Sequence, residues 1–215
     1  MMIPLSELIR DYGVKPKGIV HVGAHEGQEL ESYNEHEVPR VVWIEANPTV
    51  SERLRERLKP YPHHQAYQFA AHEKDGLSVD LNVMVNTMSS SIFYPKRHLE
   101  FYPSITVTEK ISVPTKTLDS FFDEENLSRE DFNFLNMDIQ GAELLVLKGA
   151  SRTLPHIDYV YTEVNDDYLF EGCCLKEELD DFLGRQGFKR VATRMTTDKW
   201  GDALYVREDQ RQFPV

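Results

Sequence analysis

Apolar and polar positions along the 215 residues alternate in two rhythms, short buried runs and longer one-sided stripes. Ile3, Leu5, Leu8, Ile9 and Tyr12 share a helical face that ends at Gly13 and Pro16, which predicts a helix within residues 1–15 lying as a lid over one end of a sheet. Residues 18–22 (GIVHV) form a buried-strand run, followed by the turn GAHEG and a helix-compatible stretch over 28–35. A second strand covers 41–44 (VVWI). Asn47-Pro48 then suits a helix cap and first helical residue, with Val50, Leu54 and Leu58 as the buried stripe. A weaker third strand is expected over 66–71 and an alternating extended segment over 77–85. Residues 86–111, with three consecutive serines and two Tyr-Pro pairs, show no sustained period and are expected to be an insertion of loops that shapes the substrate region.

Order returns at VPTKTLDSFF, a strand leading to a short helix capped near Thr117. Residues 132–137 are an apolar strand ending in Asp138, Gly141 opens a helix through Leu144, Leu145 and Leu147, and 159–164 is another strand. Leu175, Leu179, Phe182 and Leu183 mark the last helix, stopped by Gly187, and 188–192 with 203–207 are expected to close the fold as an antiparallel hairpin. Such βα alternation predicts an α/β fold, a mostly parallel central sheet flanked by helices, in one domain over 1–215.

Composition narrows the class. Apolar residues make up 40% and charged ones 28%, ordinary for a water-soluble globular chain. No run approaches the roughly 20 apolar residues of a membrane span, and Glu7, Arg10 and Asp11 interrupt the start, so a cytoplasmic protein is expected. A formal charge of −12 with scattered Lys and Arg disfavours nucleic acid as a partner. Adjacent Cys173 and Cys174 suit neither a zinc site nor a CxxC redox site and are expected to be reduced, packed thiols.

Ligands of open α/β sheets bind beyond the carboxyl ends of the strands, so four strand ends carry the candidate chemistry. The first is HVGAHEG, with glycines where backbone turns sharply. At the second, Glu45 lies 22 positions after Gly23, the spacing at which an acid meets a ribose diol. GAHEG lacks the Gly-x-Gly pair of a pyrophosphate turn, so a nucleoside without a phosphate chain fits better than NAD or a nucleotide sugar. The third, MDIQGAE, places Asp138 in the crevice and Glu143 in the first helical turn. The fourth adds Glu163, Asn165, Asp166 and Asp167, a set of acids that could take a proton from a hydroxyl, hold a divalent cation, or only be solvated. Among His25, His63, His64 and His72 no metal spacing is evident. Phe93, Tyr94, Phe101 and Tyr102 line a pocket or pack the loop.

HVGAHEG, WIEANP, AAHEKDG, SSSIF, VPTKTLDSFF and above all FLNMDIQGAELLVLKGA together resemble the FkbM-type methyltransferases, Rossmann-like class I enzymes dependent on S-adenosylmethionine, over about 18–150. The resemblance implies O-methylation of a hydroxyl on a sugar or another small metabolite. It implies a cofactor site around His21, Gly23, Ala24, Gly27 and Glu45, with Ala71 and His72 near the adenine and Asp138 beside the methyl group. Asp138 and Glu163 are the expected catalytic acids. His21 stands where the family commonly has aspartate, and a neutral imidazole offers no fixed charge to the cofactor's amino group. A module that holds the same nucleoside without chemistry is the alternative from another class.

Overall fold

The computed structural model describes residues 1–208. In chain order the helices are α1 (Leu5–Tyr12), α2 (Leu30–Glu35), α3 (Pro48–Leu58), α4 (His98–Phe101), α5 (Leu118–Glu124), α6 (Glu143–Lys148) and α7 (Lys176–Arg185). The strands are β1 (Ile19–Val22), β2 (Val41–Glu45), β3 (His64–Gln68), β4 (Ala70–Ala71), β5 (Ser78–Met84), β6 (Val107–Lys116), β7 (Phe134–Met137), β8 (Tyr159–Asn165), β9 (Phe188–Met195) and β10 (Trp200–Arg207).

Seven strands build the main sheet in the order β3-β2-β1-β7-β8-β10-β9. The first five are parallel, and β10 runs antiparallel to both β8 and β9. The expected parallel sheet with a closing hairpin is therefore what the chain forms. From β1 the chain works outward to β3, then returns and works outward from β7 on the other side. The β1–β7 junction is the point where strand order reverses and a crevice opens.

Alternating side chains cover both faces. Val20, Val22, Val42, Ile44, Leu135 and Met137 pack with Phe121, Phe122, Val146, Leu147, Leu179 and Leu183 from α5 to α7. Ile19, Val41, Trp43, Phe134 and Tyr161 pack with Leu5, Leu8, Tyr33 and Leu54 from α1 to α3. Burial on both sides is why these strands are continuous apolar runs. α1 covers this second face of the sheet and not an end of it.

Three boundaries differ from expectation. The strand expected over 66–71 is two strands, because after Phe69 the chain leaves the main sheet and Ala70 and Ala71 pair with Thr115 and Lys116. The irregular segment expected over 86–111 contains α4 and the first half of β6, which pairs antiparallel with β5 in a separate three-stranded sheet. The first half of β6 escapes a reading by hydrophobicity because both of the strand's buried residues, Val113 and Thr115, lie in its second half, which was expected as a strand. The closing hairpin is longer than 188–192 and 203–207, leaving a turn of only 196–199. No helix among the described residues is long and apolar enough to cross a membrane.

Candidate active site

Gly23 follows β1 with φ +78°, and a Cβ there would lie 1.9 Å from the carbonyl oxygen of Asp138. The glycine is required because the turns after β1 and β7 nearly touch, as well as bordering the crevice. The N–H groups of Gly23 and Ala24 both donate to the Ile44 carbonyl, at 2.9 and 3.0 Å, tying this turn to β2. Ala24 is buried on the α1–α3 face, and Gly27 (φ +73°) is where a Cβ would come within 2.8 Å of Leu54 Cδ1. Both shape the turn, and neither borders the crevice.

Glu45, the last residue of β2, accepts the backbone N–H of His25 on one oxygen (2.8 Å) and that of Asn47 on the other (2.7 Å). The carboxylate is thus oriented by both flanking loops. Burial raises its pKa, and the backbone N–H donors of Asn47, His25 and Ala46 oppose that rise. Asn47 in turn caps α3, its side chain accepting from Thr49 and Val50.

Beyond β7 the chain makes a tight turn in which Gln140 and Gly141 both have positive φ, +56° and +102°. Glu143, fully buried, accepts the N–H groups of Gly141 (3.0 Å) and Ile139 (3.3 Å), so it locks the turn from the start of α6. Burial pushes its carboxyl up to about 7. Asp138 is pushed up to about 6, by burial first and the negative Asp202 second. Gln140 Nε2 donates to Asp138 Oδ1 (2.7 Å) and Glu163 Oε2 (2.6 Å), joining the ends of β7 and β8. Burial, then Asp138, Glu143 and Asp202, raise the Glu163 carboxyl well above its ordinary range.

The acids expected at the fourth strand end do not all converge. Asp166 is paired with Lys176 and Asp167 with Arg97, which draws both away from Asp138. Their place is taken by Asp202 on β10, directly across from Glu163 and hydrogen-bonded by the Tyr161 hydroxyl. Among the described residues no group of three or more His, Cys, Asp or Glu side chains is arranged to hold a metal ion.

Three connecting chambers open along the crevice, and Asp138 and Met88 border all of them. The first, about 570 Å³ and open to solvent, lies between Glu45 and an apolar wall of Phe69, Ala71, Leu81, Ile92 and Ile139. The second, about 670 Å³, is bounded by Glu163, Gln140, His98, Tyr102, Phe170 and Trp200. The third, about 500 Å³, is polar, with His21, Glu29, Asn136, Tyr161 and Asp202.

His21 reaches the third chamber from beneath. Its ring stacks on Trp43 with centroids 5.1 Å apart, and Nδ1 lies 3.1 Å from the Tyr33 hydroxyl, which itself accepts from Asn136 Nδ2 at 2.8 Å. Burial lowers the His21 pKa to about 4, so the ring is neutral at pH 7. His25 crosses the crevice, with Nε2 2.8 Å from Thr87 Oγ1. Ala71 borders the first chamber but His72 does not: its Nδ1 accepts from the Lys74 N–H and its carbonyl packs on Gly149. Of the loop aromatics Tyr102 enters the second chamber, its hydroxyl 3.0 Å from Trp200 Nε1, while Phe93 and Phe101 pack against Leu169, Phe170 and Cys173. Both cysteines are free and buried.

Glu29 lines the site and motif reading missed it, whereas His98 falls in the segment 86–111, and Trp200 and Asp202 in a loop over 198–202, that were expected to build the acceptor pocket without being singled out as residues. Asp202 had a signal, an acid beside Gly201 and Ala203 in an otherwise apolar strand, but its stretch reads as loop. Glu29 precedes a helix that looks only like a solvated one.

A family model described as "Methyltransferase FkbM domain" matches residues 21–190. The 2-O-methyltransferase NoeI of Sinorhizobium fredii is 29% identical over 161 residues, which cover 72% of this chain and 65% of that protein. The chain thus spans less than two thirds of that relative's length. Among solved structures, a putative tRNA methyltransferase of Streptococcus pneumoniae in complex with S-adenosyl-L-methionine aligns with TM-score 0.54 at 12% identity, over 100% of this chain and 77% of that one. A protein of the NADB-Rossmann superfamily from Streptococcus agalactiae aligns with TM-score 0.51 at 11% identity, over 93% and 67%. These two likenesses concern the fold.

Proposed function

The chain belongs to the FkbM methyltransferase family, and we propose that it is an S-adenosylmethionine-dependent O-methyltransferase acting on a hydroxyl of a sugar or another small hydroxylated metabolite. The observation that carries this reading is the meeting of three chambers of different chemistry at one carboxylate, Asp138. The donor sets fit the cofactor. The apolar wall of the first chamber suits an adenine, and Glu45, already oriented by two backbone donors, suits a ribose diol. In the third chamber Glu29 and Asp202 are the acids facing a cofactor ammonium, and that group would have to compete with the Met1 α-ammonium, which already pairs with Glu29 at 3.0 Å, while Asp202 accepts the Met2 N–H. Of the residues assigned to the cofactor, Gly23 and Ala71 border its chambers directly, Ala24 and Gly27 act through the turn, and His72 has no place in it.

The cofactor supplies a methyl group on a positively charged sulfur. The protein's own part is alignment and proton handling. The second chamber offers Trp200 and Tyr102 as flat apolar surfaces for the acceptor, with Asp138 and Glu163 at its inner end. A carboxyl that ionises near pH 6 is largely charged at pH 7 yet more basic than an exposed aspartate, which suits it to take the hydroxyl proton. Alignment of the reacting groups where the chambers meet contributes most to such a transfer. A cytoplasmic setting is part of the same proposal, supported by the two free, buried thiols.

Calorimetric titration of S-adenosylhomocysteine tests this. Wild-type protein should bind it, and Glu45→Ala should weaken binding by about 10-fold or more, the loss of a charge-assisted hydrogen bond of roughly 1.5–3 kcal/mol. An unchanged dissociation constant removes Glu45 from the site. Preference for NAD over S-adenosylhomocysteine overturns the cofactor, and cofactor binding without methyl transfer to any hydroxylated acceptor would leave a binding module.

A further inference from the structure

Gln140 has no task in the methyl-transfer scheme, yet its position is costly. Its backbone is left-handed, a conformation disfavoured for a residue with a Cβ and often found where a site demands it. Neighbours hold it there: Ser91 Oγ donates to its carbonyl at 2.9 Å, and Glu143 binds the N–H groups of the residue on each side. What this placement delivers is the side-chain amide, whose two N–H groups serve one carboxylate each, 2.7 Å from Asp138 and 2.6 Å from Glu163.

We propose that Gln140 is a positioning residue that clamps Asp138 and Glu163 into a pair sharing one proton, with Asp138 the member left ionised to accept the proton of the acceptor hydroxyl. The purpose of the clamp rests on the methyl-transfer reading, and its existence does not. In the step itself the hydroxyl O–H bond breaks, the proton moves to an Asp138 oxygen, and the pair carries two protons until one returns to solvent.

The surroundings make a single shared proton the favoured state. From β10 Asp202 faces the pair, from α6 Glu143, from the end of β2 Glu45, and from the start of α2 Glu29. Tyr161 on β8, Tyr102 after α4 and Cys173 are the other titratable neighbours, and the α-ammonium of Met1 is the cation. A second full charge beside the first is therefore opposed by burial and by like charges. A neutral amide can satisfy both carboxyl groups without adding the positive charge that would strip both protons.

The test is a carbon-13 NMR titration of the whole protein labelled at Asp Cγ and Glu Cδ, with the two signals assigned through Asp138→Asn and Glu163→Gln. In wild type, Asp138 should titrate near pH 6 and Glu163 above it, each signal inflecting at the other's midpoint. Gln140→Gly deletes the amide and relaxes the left-handed backbone, so folding is not at stake, and the Asp138 midpoint should rise by about one pH unit, a tenfold change in proton affinity. Gln140→Glu adds a third acid and should raise it at least as far. Unmoved midpoints in both variants, or independent titration of the two acids in wild type, overturn the proposal. Wild-type protein that shows the shift but does not bind S-adenosylhomocysteine keeps the clamp and overturns the methyl-transfer reading.

Discussion

Replacing Gly23 by alanine separates two reasons for a glycine at the end of β1. The new Cβ would meet the Asp138 carbonyl oxygen at 1.9 Å, where contacts below 3.0 Å are essentially never tolerated, so the turns after β1 and β7 must part by about 1.1 Å. The left-handed φ of +78° adds its own penalty of roughly 1–2 kcal/mol, and the overpacking another 1–3 kcal/mol. A total near 3 kcal/mol lowers Tm by about 6–12 °C in a chain of this length, at roughly 2–4 °C per kcal/mol. Gly76→Ala isolates the backbone part, because Gly76 has φ +69° and nothing within 4 Å of an added Cβ. Thermal and denaturant unfolding of both variants is the assay, with S-adenosylhomocysteine binding measured on the folded fraction. Gly23→Ala should lose clearly more stability than Gly76→Ala and should also bind more weakly, since the displaced turn carries Asp138. Equal losses, with binding unaffected, would refute the argument that the two turns are held in contact.

The buried acids make stability depend on pH in the less usual sense. Asp138 and Glu143 keep their protons to about pH 6 and 7 in the folded chain, against roughly 4 in an unfolded one, so the native state binds more protons between about pH 4 and 7 and stability falls as pH rises through that window. Glu143→Gln keeps an acceptor for the Gly141 N–H and should flatten the fall in Tm between pH 5 and 8 expected on these grounds; an unchanged slope would show that Glu143 does not hold its proton. Glu29→Gln should weaken S-adenosylhomocysteine binding by about 5- to 30-fold with little effect at the adenosine end, as judged by unchanged affinity for adenosine alone, and equal weakening of both ligands would take Glu29 out of the amino-acid chamber.

Residues buried on both faces of the main sheet were legible as apolar runs, which is why β1, β2, β7 and β8 and the acids at their ends could be placed from sequence. The first half of β6 was not, because Thr108, Glu109, Lys110 and Ser112 keep it polar while backbone pairing with β5 holds it, whereas its second half, VPTK, was. Phe69 hides the break between β3 and β4, since a core phenylalanine looks the same whether a strand continues or switches sheets. At the site, motif spacing located Glu45 and Asp138 but not Asp202 and Glu29, whose approach depends on the pairing of β10 with β8 and on the entry to α2. His72 misled by adjacency: Ala71 faces the crevice, and its neighbour turns toward α6. Asp166 and Asp167 misled by charge alone, because their partners Lys176 and Arg97 lie on other elements.

The most direct measurement is a crystal structure of the protein with S-adenosylhomocysteine. The account predicts the ribose on Glu45, the adenine against Phe69 and Ala71, the amino-acid end beside Glu29 and Asp202, and the sulfur next to Asp138, facing the chamber of Trp200 and Tyr102. Adenosine seated in the Trp200 chamber, or a sulfur directed away from Asp138, would contradict it.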